Sequence, residues 1–250
     1  MIKSLLGYKK NSVAVIRLTG IIASGGRIGS KGNLNINDLS DPLIKAFSYN
    51  NVKAVALIIN SPGGSPVQSA LISDKIRELS KEKDIPVFAF IEDIAASGGY
   101  WLSCAADEIY AMDGSIVGSI GVISAGFGAV QAIKKLGIER RVYSEGDNKG
   151  MLDPFLPEKD ADIAQIKKIQ KDLHGQFIDW VKKRRGRRLN GKDKQLFNAG
   201  IWSGRESKEL GLVDGVGNID KVLKEKFGKD VKVKDFTKKV SKFKQIFSSR

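Results

Sequence analysis

The 250-residue sequence holds one cysteine and one histidine, and these near-absences exclude several kinds of site. A single cysteine, Cys104, cannot form an internal disulfide or a zinc site built from several cysteines. Because Cys104 lies in an apolar run, we expect a buried and unreactive thiol. The single histidine, His174, lies in a long helical pattern, where a packing or surface role is more common than catalysis. We expect neither a metal nor a cofactor.

Long hydrophobic runs are also absent. No stretch approaches the roughly 18 apolar residues that a membrane-spanning helix needs. Near the N-terminus only Leu5 and Leu6 form an apolar pair, which is too short for the apolar core of a signal peptide. The sequence therefore predicts a cytoplasmic protein that is either free or attached peripherally to the inner membrane.

Positive charge is in excess, with a formal net charge of +14, and it is concentrated in two regions. One is a cluster of lysines and arginines at 182–188, and the other is the lysine-rich stretch 221–250. Clusters of this kind bind nucleic acid or anionic membranes, although a basic face exposed to water is more common. No aromatic stacking motif accompanies the cluster, so nucleic-acid binding is disfavoured.

The last residues, 237–250, combine apolar and basic side chains at helical spacing. Such a pattern is typical of a helix that lies on an anionic membrane surface. The alternative is a tail that packs on a neighbouring subunit or stays unfolded. The apolar positions are Val240, Phe243, Ile246 and Phe247, and the lysines among them are Lys238, Lys239, Lys242 and Lys244.

The first two-thirds of the chain alternate apolar strand-like runs with helical patterns, which predicts an α/β fold with short connections. From about residue 157 the pattern becomes helical. We therefore expect one domain with an α/β core over 12–156, a helical part over 157–228 and a basic tail over 229–250. The predicted strands are 13–18, 52–60, 86–91, 108–111, 116–123 and 141–144, and the shorter predicted helices are 37–47, 66–81, 129–136, 192–199 and 204–210.

Two glycine-rich turns follow two of the predicted strands. One is SPGGS at 61–65 and the other is AASGG at 95–99. If their strands are parallel neighbours, both turns lie at the same edge of the sheet, where such folds bind ligands. One turn would then supply a nucleophile, Ser97, and the other the N–H groups of an oxyanion hole. Neither turn has the G-x-x-x-x-G-K-[ST] pattern of a phosphate-binding loop.

A serine nucleophile needs a base that takes its proton. With His174 set aside, that base is a lysine or a carboxylate. A lysine serves if burial lowers its pKa, because loss of water disfavours the ammonium form. The chain has 42 lysines and arginines, so only position can select one of them.

Short motifs in a fixed order carry more information than any single residue. They are NSPGG at 60–64, ASGGY at 96–100, GSIG at 118–121, Lys149 ahead of DPF at 153–155, WSGR at 202–205 and LGLVD at 210–214. In this order and spacing they resemble the S49 peptidases, the family that includes bacterial signal peptide peptidase A. The resemblance runs from about residue 13 to residue 222.

The resemblance implies a ClpP/crotonase-type fold, a spiral of ββα units, and a serine peptidase that works without histidine. It makes Ser97 the nucleophile and Lys149 the general base, with the Ser119 hydroxyl holding the lysine amine. The implied oxyanion donors are the backbone N–H groups of Gly63 or Gly64, together with that of Gly98.

Three carboxylates lie close to Lys149 in sequence, namely Glu145, Asp147 and Asp153. A carboxylate that also lies close in space raises the pKa of a lysine and so weakens it as a base at neutral pH. The assignment of Lys149 therefore requires these three side chains to point away from its amine.

The chain length resembles that of the family's short form. This implies a homo-oligomer, with an octamer as one candidate, in which Ser97 of one subunit meets Lys149 of its neighbour. The implied substrates are signal-peptide remnants and other short, unfolded, largely apolar segments.

Two alternative functions stay open at this point. A crotonase-like acyl-CoA hydratase or isomerase shares the fold and the paired oxyanion amides, but it relies on carboxylates and leaves Ser97 without a role. A non-catalytic scaffold protein would use the basic cluster at 182–188, and a change at Ser97 would not affect it.

Overall fold

The computed structural model describes residues 11–25 and 33–237, and the chain divides into two compact units. Unit 1 comprises Met1–Ile120 and Ile178–Arg250, as far as these residues are described, and unit 2 comprises Gly121–Phe177. The predicted division of one domain at residues 156 and 228 stays a prediction. The predicted tail pattern over 237–250 lies, from residue 238 onward, outside the described residues.

A mostly parallel β-sheet forms the centre of unit 1 and confirms the predicted α/β class. Six strands follow the order β6-β5-β3-β2-β1-β8, while β4 pairs with β3 and with β7. All pairings are parallel except that of β5 with β6. The strands are β1 (Ser12–Thr19), β2 (Val52–Ser61), β3 (Val87–Ala96), β4 (Glu108–Ala111), β5 (Ile116–Gly118), β6 (Ile201–Ser203), β7 (Gly215–Val216) and β8 (Lys232–Asp235).

Four of the eight described α-helices begin where the sequence provides a capping side chain. The Asn35 side chain accepts a hydrogen bond from the N–H of Asp38, and Ser65 accepts one from Gln68, with Pro66 at the first helical position behind it. The helices are α1 (Ile36–Phe47), α2 (Pro66–Lys83), α3 (Gly98–Ser103), α4 (Val130–Lys135), α5 (Asp160–Arg185), α6 (Asp193–Leu196), α7 (Gly204–Glu209) and α8 (Ile219–Phe227). Among the described helices, none is long and apolar enough to cross a membrane.

The core lies on both faces of the first three strands. These strands are almost continuously apolar, as is usual for a parallel sheet that is covered on both sides. On one face, Val13 and Val15 belong to a buried cluster with Val222 and Leu223 of α8. The alternate residues of β1, such as Ile16, are also fully buried, and α1 packs on β1 and β2.

Strand β3 has two partners on the same side, and this arrangement positions the site. Its first half, residues 88–91, pairs with β4, and its last residues, 94–96, pair with β5. Its other side pairs with β2 up to Ser61. Ser97, which directly follows β3, is therefore flanked by the ends of β2 and β5.

Three sequence-based expectations about strands differ from the structure. The strand predicted at 116–123 ends at Gly118, because Gly118 and Ser119 both have a positive φ, of 119° and 53°, which extended backbone does not allow. The strand predicted at 141–144 is wrong, since these residues are exposed and pair with no strand in the described part of the chain. Strand β8 lies within the segment expected to be a tail and pairs with β1.

Candidate active site

The two glycine turns meet at the carboxyl ends of β2 and β3. Ser61 pairs with Ala95 in the parallel ladder, so both turns leave the sheet at the same level. A Cβ added to Gly63 would lie 2.7 Å from the Gly98 nitrogen and 2.8 Å from the Ser97 Cβ. The two turns are thus in contact so closely that only glycine fits at position 63. They lie at the same edge of the sheet, as predicted from the sequence.

Ser97 occupies a strained junction between β3 and α3. Its φ is 52° and its ψ is −123°, a conformation that non-glycine residues rarely adopt. Its N–H donates to the carbonyl oxygen of Gly118 at 2.8 Å, which fixes the turn against the end of β5. The side chain is half-buried and does not cap α3. A serine on a sharp strand-to-helix turn is the arrangement that presents a hydroxyl nucleophile in other hydrolases.

The backbone N–H groups beside Ser97 are not equivalent. The N–H of Gly63 donates to the Ser61 Oγ at 3.2 Å and is therefore occupied. For the N–H groups of Gly64 and Gly98, the described residues provide no acceptor. A Cβ on Gly98 would lie 3.3 Å from the Gly64 nitrogen, so these two N–H groups are close neighbours. Of the two alternatives for the first turn, only Gly64 has an N–H group without an acceptor among the described residues.

Ser119 lies beside Ser97 at the end of β5. Its own φ is 53°, and its N–H donates to the carbonyl oxygen of Gly200 at 2.7 Å. The carbonyl that binds the Ser97 N–H belongs to Gly118, the residue directly before Ser119. The two serines are therefore held by the same short piece of backbone.

Lys149 belongs to unit 2, in a series of turns, and its side chain is exposed. Its N–H donates to the carbonyl oxygen of Gly146 at 3.1 Å. One of the three nearby carboxylates, Asp153, is bound by Arg140 at 3.0 Å. Among the described residues, Lys149 forms no ion pair with Asp153, Glu145 or Asp147.

The basic cluster at 182–188 is mixed. Its lysines, Arg187 and Arg188 are exposed, as expected for a solvated face, whereas Arg185 is buried and Arg184 is half-buried. Arg184 donates to the carbonyl oxygens of Cys104 at 2.8 Å and Ala106 at 2.9 Å, beyond the end of α3. Arg185 donates to the carbonyl oxygen of Gly211 and pairs with Asp214 at 2.7 Å. Of these two arginines, Arg184 holds the end of the helix that begins immediately after Ser97, and Arg185 holds the segment 211–214. We call them the arginine clamp.

The apolar helix α3 carries the single cysteine and a buried tyrosine. Cys104 is fully buried, and burial raises the pKa of its thiol to about 11, so the expected unreactive thiol is confirmed. The Tyr100 hydroxyl donates to the carbonyl oxygen of Leu212 at 2.8 Å, and burial raises the pKa of this phenol far above its ordinary value. The LGLVD motif thus supplies backbone acceptors to α3.

Replacing Gly63 by alanine tests the contact between the turns. The added Cβ would overlap the Gly98 nitrogen and force a strained φ of 104°, so we expect the free energy of unfolding to fall by about 2 kcal/mol. Urea unfolding measures this change. Gly114→Ala is the control, because nothing lies within 4 Å of a Cβ there. Equal stability of the two variants would contradict the close approach.

A strained serine beside N–H groups for which the described residues provide no acceptor has the geometry that hydrolases working by acyl transfer use. The model of Peptidase family S49 matches residues 79–246, and the chain belongs to this family. The match confirms the family predicted from the motifs and, with it, the class of the domain, a serine peptidase.

Relatives of this chain are longer proteins. A protein of Brucella abortus named Na(+)/H(+) antiporter NhaA is 47% identical over 225 residues, which are 90% of this chain and 30% of that protein. Protease 4 of Haemophilus influenzae is 33% identical over 218 residues, which are 85% of this chain and 34% of that protein. The chain therefore spans well under half of the length of either relative.

A solved structure with the same architecture is that of the 1510-N membrane-bound stomatin-specific protease, a variant in complex with a substrate peptide. The TM-score is 0.57 at 16% identity, over 96% of this chain and 97% of that one. At this identity the likeness shows the fold alone. It confirms the predicted ClpP/crotonase-type fold.

Proposed function

We propose that the protein is a serine endopeptidase in which Ser97 is the nucleophile and Lys149 the general base. The Ser97 Oγ bonds to the carbonyl carbon of a peptide while the neutral Lys149 amine takes the hydroxyl proton. The oxyanion accepts hydrogen bonds from the N–H groups of Gly64 and Gly98. The carbon–nitrogen bond then breaks, the leaving amine takes the proton from Lys149, and water hydrolyses the acyl-enzyme.

The observation that carries this proposal is the strained conformation of Ser97 beside the N–H groups of Gly64 and Gly98, for which the described residues provide no acceptor. A φ of 52° at a serine costs free energy, and it is retained where the surrounding structure enforces it. Here the Gly118 carbonyl and the packed glycine turns enforce it. Ser119, held by the same backbone, is proposed to orient the lysine amine.

We further propose that the site is completed by a second copy of the chain. Lys149 is exposed in the single chain, whereas a lysine base needs an environment from which water is excluded. The unit that carries it also exposes large apolar side chains, with Phe127 93%, Tyr143 92% and Ile123 86% accessible. A partner that buried this surface would also remove water from Lys149.

Short apolar peptide segments are the proposed substrates. A cavity of about 440 Å³ within unit 2 is lined mainly by apolar side chains, including Phe127, Leu152, Ile163 and Ile166, and it belongs to the same unit as Lys149. Its size suits a side chain of a peptide. Peripheral attachment to an anionic membrane through residues 238–250 stays a prediction, because these residues lie outside the described ones.

Covalent labelling tests the proposed pair of residues without knowledge of the substrate. A fluorophosphonate probe is expected to modify Ser97, as located by mass spectrometry of the digested protein. The labelling rate should rise with pH as one group loses its proton between about pH 6 and 9. Lys149→Ala is expected to slow labelling by a factor of about 100 or more, since general-base catalysis typically contributes that much.

The matched control is Lys135→Ala, which removes an exposed lysine of α4 in the same unit. It should label at the wild-type rate. Modification of a different residue, or an unchanged rate in Lys149→Ala, would rule out this pair.

A further inference from the structure

We propose that Arg140 is a positioning residue for the base, because it binds Asp153 and prevents that carboxylate from pairing with Lys149. This inference rests on the proposed role of Lys149. It concerns the way in which a lysine surrounded by acidic residues in sequence remains available as a base.

The contact between Arg140 and Asp153 is specific. The Arg140 Nε and Nη2 both donate to the Oδ2 of Asp153, at 3.1 and 3.0 Å. The guanidinium also lies over the Phe155 ring, 5.8 Å from its centre, which holds it in place. The other carboxylate oxygen, Oδ1, accepts the N–H of Phe155 at 2.9 Å. Both oxygens of Asp153 are thus occupied.

Asp153 lies within reach of Lys149 along the backbone. The N–H of Asp153 donates to the carbonyl oxygen of Gly150 at 3.3 Å, which closes a turn between these residues. A turn of this kind brings its ends to within about 7 Å, and Gly150 is the direct neighbour of Lys149. A flexible lysine side chain spans such a separation, so a carboxylate released from Arg140 would attract the ammonium group.

The charge of Asp153 is present at every pH at which a lysine base works. The hydrogen bond from the Phe155 N–H and the neighbouring Arg140 guanidinium hold the pKa of this carboxyl below its ordinary value. An unpaired carboxylate within a few ångströms raises the pKa of a lysine. Arg140 compensates this charge locally and keeps the carboxylate from pairing with the Lys149 ammonium group.

The other charged groups of unit 2 differ from Asp153 in their contacts. Glu139 is paired with Arg141, and Asp162 accepts the N–H of Leu152 at 3.3 Å. The remaining ones on the turns and on the adjoining helices stay the same in every variant below and shift all pH profiles equally. They are Lys134, Lys135, Glu145, Asp147, Glu158, Lys159, Asp160, Lys167, Lys168, Lys171 and Asp172.

The pH profile of Ser97 labelling by the fluorophosphonate probe tests the role of Arg140. In Arg140→Gln the midpoint of the profile is expected to move up by about one pH unit, and the rate at pH 7 to fall about tenfold. The plateau at high pH should stay close to that of the wild type. In the double variant Arg140→Gln with Asp153→Asn, the carboxylate is gone and the midpoint should return to the wild-type value.

The control is Arg141→Gln, which removes the adjacent arginine and its pair with Glu139. Its midpoint should stay unchanged. A purely structural role of Arg140 would lower the plateau without moving the midpoint, and that outcome overturns the inference, as does a double variant whose midpoint stays high. If Lys149→Ala slows labelling but Arg140→Gln leaves the midpoint in place, this inference fails while the proposed function stands.

Discussion

An equimolar mixture of the Ser97→Ala and Lys149→Ala proteins is expected to recover about a quarter of the wild-type peptidase rate if subunits share the site as proposed, since subunits that mix at random give both groups to one site in four. Each variant alone should lose activity by a factor of 1,000 or more, about the loss seen when one member of a catalytic pair is removed. Hydrolysis of fluorescein-labelled casein measures all three rates.

A second mixture checks the result once the subunits have exchanged. In an equimolar mixture of wild type with the double variant Ser97→Ala/Lys149→Ala, the rate per total subunit should be about a quarter of the pure wild-type rate if sites are shared. It should be about half if each site lies within one chain. Native mass spectrometry establishes that mixed oligomers have formed. No recovery in the first mixture, with mixed oligomers present, would place the site within a single chain.

Replacing Arg185 by methionine is expected to lower the free energy of unfolding by about 3 to 4 kcal/mol, because the Asp214 carboxylate loses its buried partner. The Arg185 side chain is 1% exposed and that of Asp214 is 17% exposed. In this variant Asp214 still accepts the hydrogen bond from the N–H of Ile109 and still has a weaker contact with Arg188. The expected loss of stability is therefore smaller than the largest losses found when a buried ion pair is broken. Urea unfolding at pH 7 measures the difference.

The pH dependence of this difference has a definite sign. Burial acts to raise the pKa of Asp214, but the hydrogen bonds and charges of Arg185 and its neighbours hold it below the ordinary value. A carboxyl with a lowered pKa in the folded state stabilises the protein above about pH 4 and loses this contribution as the pH falls further. The difference in the free energy of unfolding between wild type and Arg185→Met should therefore become smaller as the pH falls below about 4.

A matched control exists on the surface. Arg205 pairs with Asp113 at 3.0 Å, but these side chains are 74% and 60% exposed. Arg205→Met should change the free energy of unfolding by no more than about 1 kcal/mol. Equal losses in both variants would show that the arginine clamp is no more than a surface contact.

The convergence of the two glycine turns could be predicted from sequence because it depends on local patterns. Apolar runs predicted β2 and β3, and the turns directly follow their ends at Ser61 and Ala96. Parallel pairing then places both turns at one edge. The sequence left open whether Gly63 or Gly64 is the proposed oxyanion donor. The preference for Gly64 needed the structure, because it depends on the hydrogen bond that the Gly63 N–H donates to the Ser61 hydroxyl oxygen.

The arginine clamp could not be predicted in the same way. Arg184 binds backbone carbonyl oxygens about 80 positions away in the chain. Every residue has such a carbonyl, so the amino-acid sequence does not show which one is the acceptor. A run of basic residues therefore looks alike in sequence whether it faces water or the backbone. The one available signal was the motif LGLVD, whose aspartate, Asp214, is the acidic partner of Arg185.

The parallel pairing of β1 with β8 places the first and the last described strands of the chain side by side at one edge of the sheet. Ser12 faces Lys232, and Val15 faces Asp235, so Ser12 and Asp235 are separated by roughly 11 Å, from three residues of strand rise and one strand spacing. A linker of a few residues bridges such a gap. The sheet is thus suited to circular permutation, and equally to insertion into a loop of a larger polypeptide, without opening its hydrogen-bonded edge.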